Sequence, residues 1–230
     1  MAKNKLQRFA EMKKMNHVFE PELEDVKNGG INYKSKWKEF FGNDNPITLE
    51  LGCGKGEYTV GLARRNPDRN FIGVDIKGAR MWVGAKQAEE ENLKNVAFLR
   101  TKVDFIDAFF DKNEVQEIWL TFSDPQPAKP RKRLTSRIFV ERYQNILDKE
   151  GWVNLKTDSD ILFEFTEEQI EEFAYPSDFL SWDVYKDLEK LPSKLAEIMT
   201  IKTHYEQLFT DKGFKIKFTR FKIFENGEKK

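Results

Sequence analysis

The chain has 230 residues, and its 39 lysines and arginines balance 39 aspartates and glutamates, so the formal net charge is zero. Hydrophobic residues make up 39% and include 20 phenylalanines, which excludes a disordered chain, and no apolar stretch is long enough to span a membrane. The single cysteine, Cys53, excludes an internal disulfide and indicates a cytoplasmic protein, and two histidines far apart in sequence predict no metal site.

Strands and helices alternate along the predicted chain. Short β-prone apolar runs predict five buried strands, at 47–51, 71–76, 96–100, 117–122 and 152–157. Apolar residues at helical spacing predict five helices, at 57–65, 79–92, 106–110, 135–149 and 158–173. A last strand at 215–224 alternates in polarity, with a slip at Thr219-Arg220 that is typical of a bulge. This order predicts an α/β fold with a Rossmann-like, doubly wound, mostly parallel sheet.

The domain organisation is predicted to be simple. One domain is expected at 46–230, preceded by a basic, helical extension at 1–45 whose helix lies around 33–41. No repeat or second core divides the rest of the chain, and the pattern at 174–200 assigns no structure.

The neutral net charge conceals a strong segregation of charge along the chain. Residues 1–14 carry a net charge of +4, and residues 129–142 and 212–222 each carry +5. Residues 164–189 hold nine acids against one lysine. A protein with a net charge of zero can therefore have one basic face and one acidic face. Binding to a nucleic acid is expected to be confined to the basic face and to be sensitive to salt.

A glycine loop follows the first predicted strand, in the order Glu50-Leu51-Gly52-Cys53-Gly54-Lys55-Gly56. Glycines beside a helix start let the backbone turn sharply and approach a ligand closely. A dinucleotide fingerprint would need glycine at position 57, where Glu57 places a carboxylate instead, so a nicotinamide oxidoreductase is disfavoured. The pattern E-x-G-x-G-x-G resembles the first motif of the class I S-adenosylmethionine-dependent methyltransferases.

That resemblance implies a cofactor site built along three strand ends. Asp75, at the end of the second strand, is suited to both hydroxyls of a ribose. Asp104 follows the third strand, where the class places an acid near the adenine, and Glu50 would balance the cationic methionine end of the cofactor. The predicted S-adenosylmethionine site comprises Glu50, Gly52, Gly54, Gly56, Asp75, Asp104 and Asp124.

A narrower resemblance comes from three motifs after the fourth strand. They are Phe122-Ser123-Asp124-Pro125-Gln126-Pro127 with a basic run behind it, Leu155-Lys156-Thr157-Asp158, and Thr203-His204-Tyr205-Glu206. Together they resemble the bacterial tRNA (guanine-N7)-methyltransferase family over residues 47–224. Gln126 replaces the family's tryptophan, and Ala128 stands at its substrate-contacting lysine, with Lys129 adjacent.

The family resemblance implies transfer of a methyl group from S-adenosylmethionine to guanine N7 in the variable loop of tRNA, on a seven-stranded sheet. It makes Asp124 the catalytic candidate, with cofactor contact as its alternative role. The implied substrate contacts are Lys129, Asp158, Thr203 and Glu206, and the implied RNA backbone contacts are Arg131, Lys132 and Arg133.

Several alternatives stay open from the sequence. Thr203 and Glu206 are equally compatible with a helix-capping pair. The chain as a whole is also compatible with a class I methyltransferase acting on another substrate, or with a catalytically silent RNA-binding module. The expected partner is tRNA, with no membrane association and no obligatory protein partner, in a monomer or homodimer.

Overall fold

The apolar runs of the sequence form the strands of one mixed sheet. The computed structural model describes residues 2–30 and 32–224. Its strands are β1 (Val18–Phe19), β2 (Ile47–Leu51), β3 (Asn70–Val74), β4 (Val96–Leu99), β5 (Val115–Thr121), β6 (Leu147–Thr157), β7 (Ser177–Ser181) and β8 (Lys217–Phe221). They lie in the order β1-β4-β3-β2-β5-β6-β8-β7, parallel except for β8, which runs antiparallel to β6 and β7. The predicted doubly wound, mostly parallel sheet is confirmed.

The number of strands is corrected from seven to eight for the described residues, because the N-terminal extension adds one. Val18 and Phe19 pair in parallel with Phe98 and Leu99 at the sheet edge. A strand of two residues is too short to produce an alternating pattern, so the sequence predicted only helix in this extension. Trp37 also joins the main core at 2% exposure. The division at residue 45 stays a prediction.

Nine described helices cover the sheet and connect its strands. They are α1 (Ala2–Met12), α2 (Leu23–Lys27), α3 (Trp37–Phe41), α4 (Glu57–Arg65), α5 (Gly78–Glu90), α6 (Arg137–Gln144), α7 (Asp160–Glu172), α8 (Ser193–Met199) and α9 (His204–Asp211). The predicted short helix at 106–110 overlaps the end of a 3₁₀ helix, Val103–Ala108. None of the described helices combines the length and the apolar character needed to cross a bilayer.

The helix predicted at 135–149 ends earlier than expected. In the structure α6 stops at Gln144, and β6 begins at Leu147, so Gly151 lies inside a strand rather than after a helix. Ile146 and Leu147 are fully buried, and their apolar character fits a helix face and a strand equally well, which is why the pattern extended the helix.

Side chains alternate between the two faces of the sheet and build a separate cluster on each. One cluster contains Leu49 and Ile72, and the other contains Phe71, Phe98 and Trp119. Because both faces are covered, β2 and β3 are buried at every position, as expected for the central strands of a doubly wound sheet.

The final strand is regular where a bulge was predicted. β8 pairs residue for residue with β6, and the irregularity lies in its other neighbour, between Ser177 and Phe179. Ile216 and Phe218 pack in the cluster on one face of the sheet, and Phe221 and Ile223 pack in the cluster on the other. The apolar residues therefore change phase at Thr219-Arg220 because both faces of the strand are buried, which resembles a register slip in the sequence.

Candidate active site

A cleft of about 770 Å³ opens at the carboxyl edge of the central strands. Parallel strands that run the same way bring their following loops to one edge, so residues far apart in sequence converge there. The predicted site residues that line this cleft are Glu50, Gly52, Gly54, Asp75, Asp104, Asp124, Lys132, Asp158 and Thr203.

The glycine loop after β2 forms the floor of the cleft. Gly54 has a φ of 56° and its missing Cβ would point into open space, so the backbone there is accessible to a ligand. Gly56 has a φ of 71°, and a Cβ at that position would lie 2.6 Å from the Phe98 ring. Gly56 is therefore needed for close packing beneath the loop and does not itself line the cleft.

Glu50 is the most deeply buried acid of the cleft, at 3% exposure. Its carboxylate accepts hydrogen bonds from the Thr59 amide at 2.8 Å and from the hydroxyls of Thr59 and Thr121. Burial raises the pKa of Glu50 to about 7, and the hydrogen bonds from Thr121 and Thr59 oppose that rise. The side chain is held rigidly at the bottom of the cleft, beside the glycine loop.

Asp75 ties the end of β3 to the glycine loop. One carboxylate oxygen accepts from the Gly54 amide at 2.9 Å, and the other accepts from the Lys77 amide at 2.7 Å. Asp104 lies exposed in the first turn after β4. The cleft thus has an accessible glycine loop, the buried acid Glu50 at one end, and the acids Asp75 and Asp104 along its rim. This arrangement suits a cationic amino acid joined to a nucleoside, so the residues present fit S-adenosylmethionine.

The loop that carries Asp124 has an unusual backbone. Phe122 and Gln126 both have positive φ values, 51° and 44°, a strain that is concentrated at functional loops. Asp124 is exposed to the cleft, and one of its oxygens accepts from the Gln126 amide at 2.9 Å. The other oxygen has no hydrogen bond from the described part of the chain.

The structure gives Arg133 a different position from the one predicted. It was expected to contact the RNA backbone, but it is 6% exposed and its Nε donates to the Pro125 carbonyl at 2.8 Å. Its guanidinium also lies over the Phe165 ring, 4.6 Å from the centroid. Arg133 therefore stabilises the loop that carries Asp124 through a buried hydrogen bond. Lys129 and Arg131 are exposed and lie outside the cleft.

Glu206 also lies outside the cleft, which corrects its assignment as a substrate contact. It is fully buried, and Lys156 Nζ lies 2.9 Å from one of its oxygens. Tyr185 donates its hydroxyl to the same carboxylate. Thr203 Oγ1 accepts from the Glu206 amide at 3.1 Å, so Thr203 caps α9 while it lines the cleft. The capping alternative describes Thr203 correctly.

Asp158 faces the cleft from the end of β6. The Lys217 ammonium donates to its backbone carbonyl at 2.8 Å and is paired with Asp160. Burial raises the pKa of Asp158, and its own backbone amide opposes that change. The side chain is partly exposed, so it can accept hydrogen bonds from a ligand that enters the cleft.

Four basic cleft residues were not predicted as site residues from the sequence: Lys55, Lys77, Arg80 and Lys102. Each lies in or just after a loop that follows a parallel strand. Their position after a strand end is the signal that would have found them. They give the cleft rim a positive charge next to its acidic interior.

Comparison with known proteins identifies the family of the chain. A family described as putative methyltransferase matches residues 44–219. A tRNA (guanine-N7)-methyltransferase from Bacteroides fragilis is 53% identical over 99% of this chain and 89% of its own length. The chain belongs to the tRNA (guanine-N7)-methyltransferase family. A further family member, from Christiangramia forsetii, is 48% identical over 96% of this chain and 99% of its own length.

Solved structures share the fold of this tRNA (guanine-N7)-methyltransferase family member at low sequence identity. The 16S rRNA methyltransferase KamB superposes with a TM-score of 0.62 at 14% identity, covering 83% of this chain and 94% of that one. A 16S rRNA (adenine(1408)-N(1))-methyltransferase from Catenulisporales acidiphilia gives a TM-score of 0.55 at 12% identity, with coverages of 84% and 92%. At this identity the likeness concerns the fold.

The buried carboxyl of Glu50 is expected to make cofactor affinity depend on pH in this family member. Its pKa of about 7 means that the group is mostly neutral at pH 6 and mostly ionised at pH 8. A cationic amino group binds the ionised form, so affinity for S-adenosylmethionine is expected to rise by up to about tenfold between these pH values. Titration calorimetry in buffers of different ionisation enthalpy measures both the affinity and the protons released.

The matched variant is Glu50→Gln, which keeps the acceptor for the Thr59 amide and removes the titrating carboxyl. We expect it to bind S-adenosylmethionine weakly at both pH values and to release no proton from this site. An unchanged affinity across pH 6 to 8 in the parent protein would show that Glu50 does not interact with the cationic end.

Proposed function

We propose that this protein transfers the methyl group of S-adenosylmethionine to N7 of a guanine in the variable loop of tRNA. The observation that carries the proposal is the cleft itself, in which the glycine cradle and Asp75 meet Asp124, Asp158 and a rim of lysines. Membership of the tRNA (guanine-N7)-methyltransferase family supports the choice of substrate.

The reaction needs positioning more than proton transfer. S-adenosylmethionine supplies an electrophilic methyl group, and guanine N7 accepts it through an in-plane lone pair without losing a proton. The reaction therefore needs no general base, and a cleft lined by carboxylates and basic side chains is sufficient. Holding two reactants in line lowers the activation free energy by about 7–11 kcal/mol in favourable cases.

Asp124 and Asp158 are proposed to hold the target base. Both carboxylates face the cleft, and each is able to accept from the N1–H and N2–H₂ groups of guanine. Methylation makes the base cationic, so a carboxylate nearby stabilises the product more than the reactant. The free oxygen of Asp124 and the strained backbone around it favour this residue as the catalytic one.

The basic rim is proposed to bind the phosphates that flank the guanine. Lys132 lines the cleft, and Lys129 and Arg131 extend the same loop into solvent. Lys55 and Lys102 add charge on the opposite loops. Displacing a base from its stack costs about a few kcal/mol, and phosphate contacts offset that cost without reading sequence.

The function is tested by incubating the full chain with radiolabelled S-adenosylmethionine and an unmodified tRNA transcript. We expect label in 7-methylguanosine at one position of the variable loop, located by cleavage at the methylated base. A transcript with adenosine at that position is the matched control and should accept no label. Folded protein that binds tRNA but transfers no methyl group would identify a silent RNA-binding module, and transfer to other substrates alone would identify a different methyltransferase.

The proposal also concerns the compartment, the partners and the oligomeric state of the enzyme. We place it in the cytoplasm, with tRNA as its partner and no obligatory protein partner, as a monomer or a homodimer. Light scattering of the protein with and without tRNA measures the number of chains in the complex.

A further inference from the structure

A second pocket lies at the edge of the sheet opposite the cleft. It has a volume of about 210 Å³, and residues of β3, β5, β8, α4 and α8 line it. Phe71 and Glu117 contribute from near the amino ends of β3 and β5, whereas the cleft opens at the carboxyl ends of the same strands. The two sites share no lining residue, so this pocket is separate from the candidate active site.

One part of the pocket wall is apolar and well packed. Leu62, Phe71 and Leu195 are buried in the hydrophobic cluster on this face of the sheet, and Ile198 packs against it. An apolar cavity of about 150 Å³ is large enough to hold benzene. A pocket of about 210 Å³ therefore has room for one ring and a small polar group.

The other part of the pocket wall is basic. The described lining includes three cationic side chains, those of Arg69, Lys194 and Arg220, and one acidic side chain, that of Glu117. Glu117 already accepts from the Asn154 amide at 3.0 Å and lies 3.2 Å from Arg69. Like charges that share a partly buried space repel, so the lining favours an anion.

Both guanidinium groups are held in place and keep N–H groups available. Arg69 donates from Nε and Nη2 to the Thr48 hydroxyl at 3.2 and 2.8 Å. Arg220 lies over the Trp152 ring, 4.1 Å from the centroid, and its Nη1 donates to Asp178 at 3.2 Å. The side chains are 25% and 21% exposed, and Nη1 of Arg69 and Nη2 of Arg220 have no hydrogen bond within residues 2–30 and 32–224. Fixed guanidinium N–H groups match the geometry of a carboxylate.

We propose that this pocket binds a small carboxylic acid whose apolar body is about one ring in size. The carboxylate meets the available N–H groups of Arg69 and Arg220, and the body packs against Leu62, Phe71 and Leu195. An inorganic anion would leave the apolar wall uncovered, and a neutral ring would leave the cations without a counter-charge. Pockets of this mixed kind are typical of small-molecule sites. The inference is independent of the proposed function, because no cleft residue takes part in it.

The probe for this site is benzoate, and benzyl alcohol, which has a similar size and no charge, is its control. Each is titrated into the full ¹⁵N-labelled chain saturated with S-adenosylhomocysteine, and amide chemical shifts are followed. We expect benzoate to shift amides of α8, of the end of α4 and of the start of β3, and to leave cleft amides in place. It should bind about 10- to 150-fold more tightly than benzyl alcohol, the range for hydrogen bonds to a charged group.

Three variants test the two parts of the pocket wall. Arg220→Gln should weaken benzoate binding by about 10- to 150-fold and change benzyl alcohol binding little. Leu195→Trp fills the apolar part and should abolish binding of both molecules. Lys194→Gln changes a side chain that is 64% exposed, so it keeps the fold and should weaken benzoate binding even if Arg220→Gln does not fold. Arg65→Gln is the matched control, since Arg65 is exposed on α4 and lies outside the pocket.

The outcomes separate this inference from the proposed function. Benzoate that binds no more tightly than benzyl alcohol, that shifts only cleft amides, or that binds Lys194→Gln and Leu195→Trp like the parent would show that these cations have only a structural role. A parent protein that methylates tRNA with any of these results overturns the pocket proposal alone. A parent protein that binds benzoate as expected and methylates no tRNA overturns the proposed function alone.

Discussion

Asp124→Ala is expected to lower kcat for tRNA methylation by about 100- to 1,000-fold, the usual loss when one preorganised electrostatic group is removed from an active site. Asp124 is exposed to the cleft with one oxygen free of intramolecular hydrogen bonds in the described chain, so its charge is available to the base. Affinity for tRNA should change much less, because the basic rim supplies most of that binding. Single-turnover rates and filter binding at fixed salt measure the two quantities separately.

The control for this prediction is Asp124→Asn, which retains an acceptor for the Gln126 amide and removes the charge. If the negative charge stabilises the methylated base, Asn should be nearly as slow as Ala. Asp68→Ala, at an exposed carboxylate outside the cleft, should behave as the parent. An equal loss of turnover and tRNA affinity would make Asp124 a general RNA contact, and a parallel loss of S-adenosylmethionine affinity would assign it to the cofactor.

The parts of the site that sequence predicted are those set by short-range spacing and by topology. α4 begins at Glu57 and ends at Arg65 as its apolar spacing indicated. Asp75 and Asp104 follow successive parallel strands, whose ends must meet at one edge. Once the strands were assigned, the convergence of these acids with Glu50 needed no knowledge of side-chain packing.

The parts that sequence missed depend on contacts between distant residues. Glu206 and Arg133 are charged, and charged side chains are usually solvated, so a ligand-facing role was the natural prediction. Lys156, the partner that buries Glu206, is 50 residues away, and neither residue type signals burial. Lys55 and Lys77 were missed because lysine is common in any surface loop, and only their place after the end of a parallel strand marks them as cleft residues.

The ion pair of Lys156 and Glu206 is the second feature with a large expected effect. Both side chains have 0% exposure, and the ammonium also donates to the carbonyls of Met199 and Ile201 at 3.1 and 3.2 Å. Burial lowers the pKa of Lys156, while the charge and hydrogen bond of Glu206 oppose that shift. The pair links the end of β6 to α9, the two carbonyls link it to the segment before α9, and both hold the cleft wall that carries Thr203.

Lys156→Met is expected to reduce the free energy of unfolding by about 3–5 kcal/mol, because it leaves Glu206 charged and buried without its partner. Denaturant titration followed by tryptophan fluorescence measures this loss. Lys86→Met is the matched control: its ammonium lies 2.6 Å from Glu89, as close as a buried pair, but both side chains are exposed, so its unfolding midpoint should stay near that of the parent.

The double variant Lys156→Met, Glu206→Leu tests why the single change is costly. Desolvating two charges costs about as much as their attraction returns, so replacing both with apolar residues of similar size should recover most of the lost stability. Glu206→Leu alone should be destabilised like Lys156→Met, because it leaves the Lys156 ammonium buried without its partner. If the double variant is less stable than either single one, the pair stabilises the fold by more than its desolvation costs. Recovery of stability without recovery of turnover would then show that the charges are retained to hold α9 in place over the cleft.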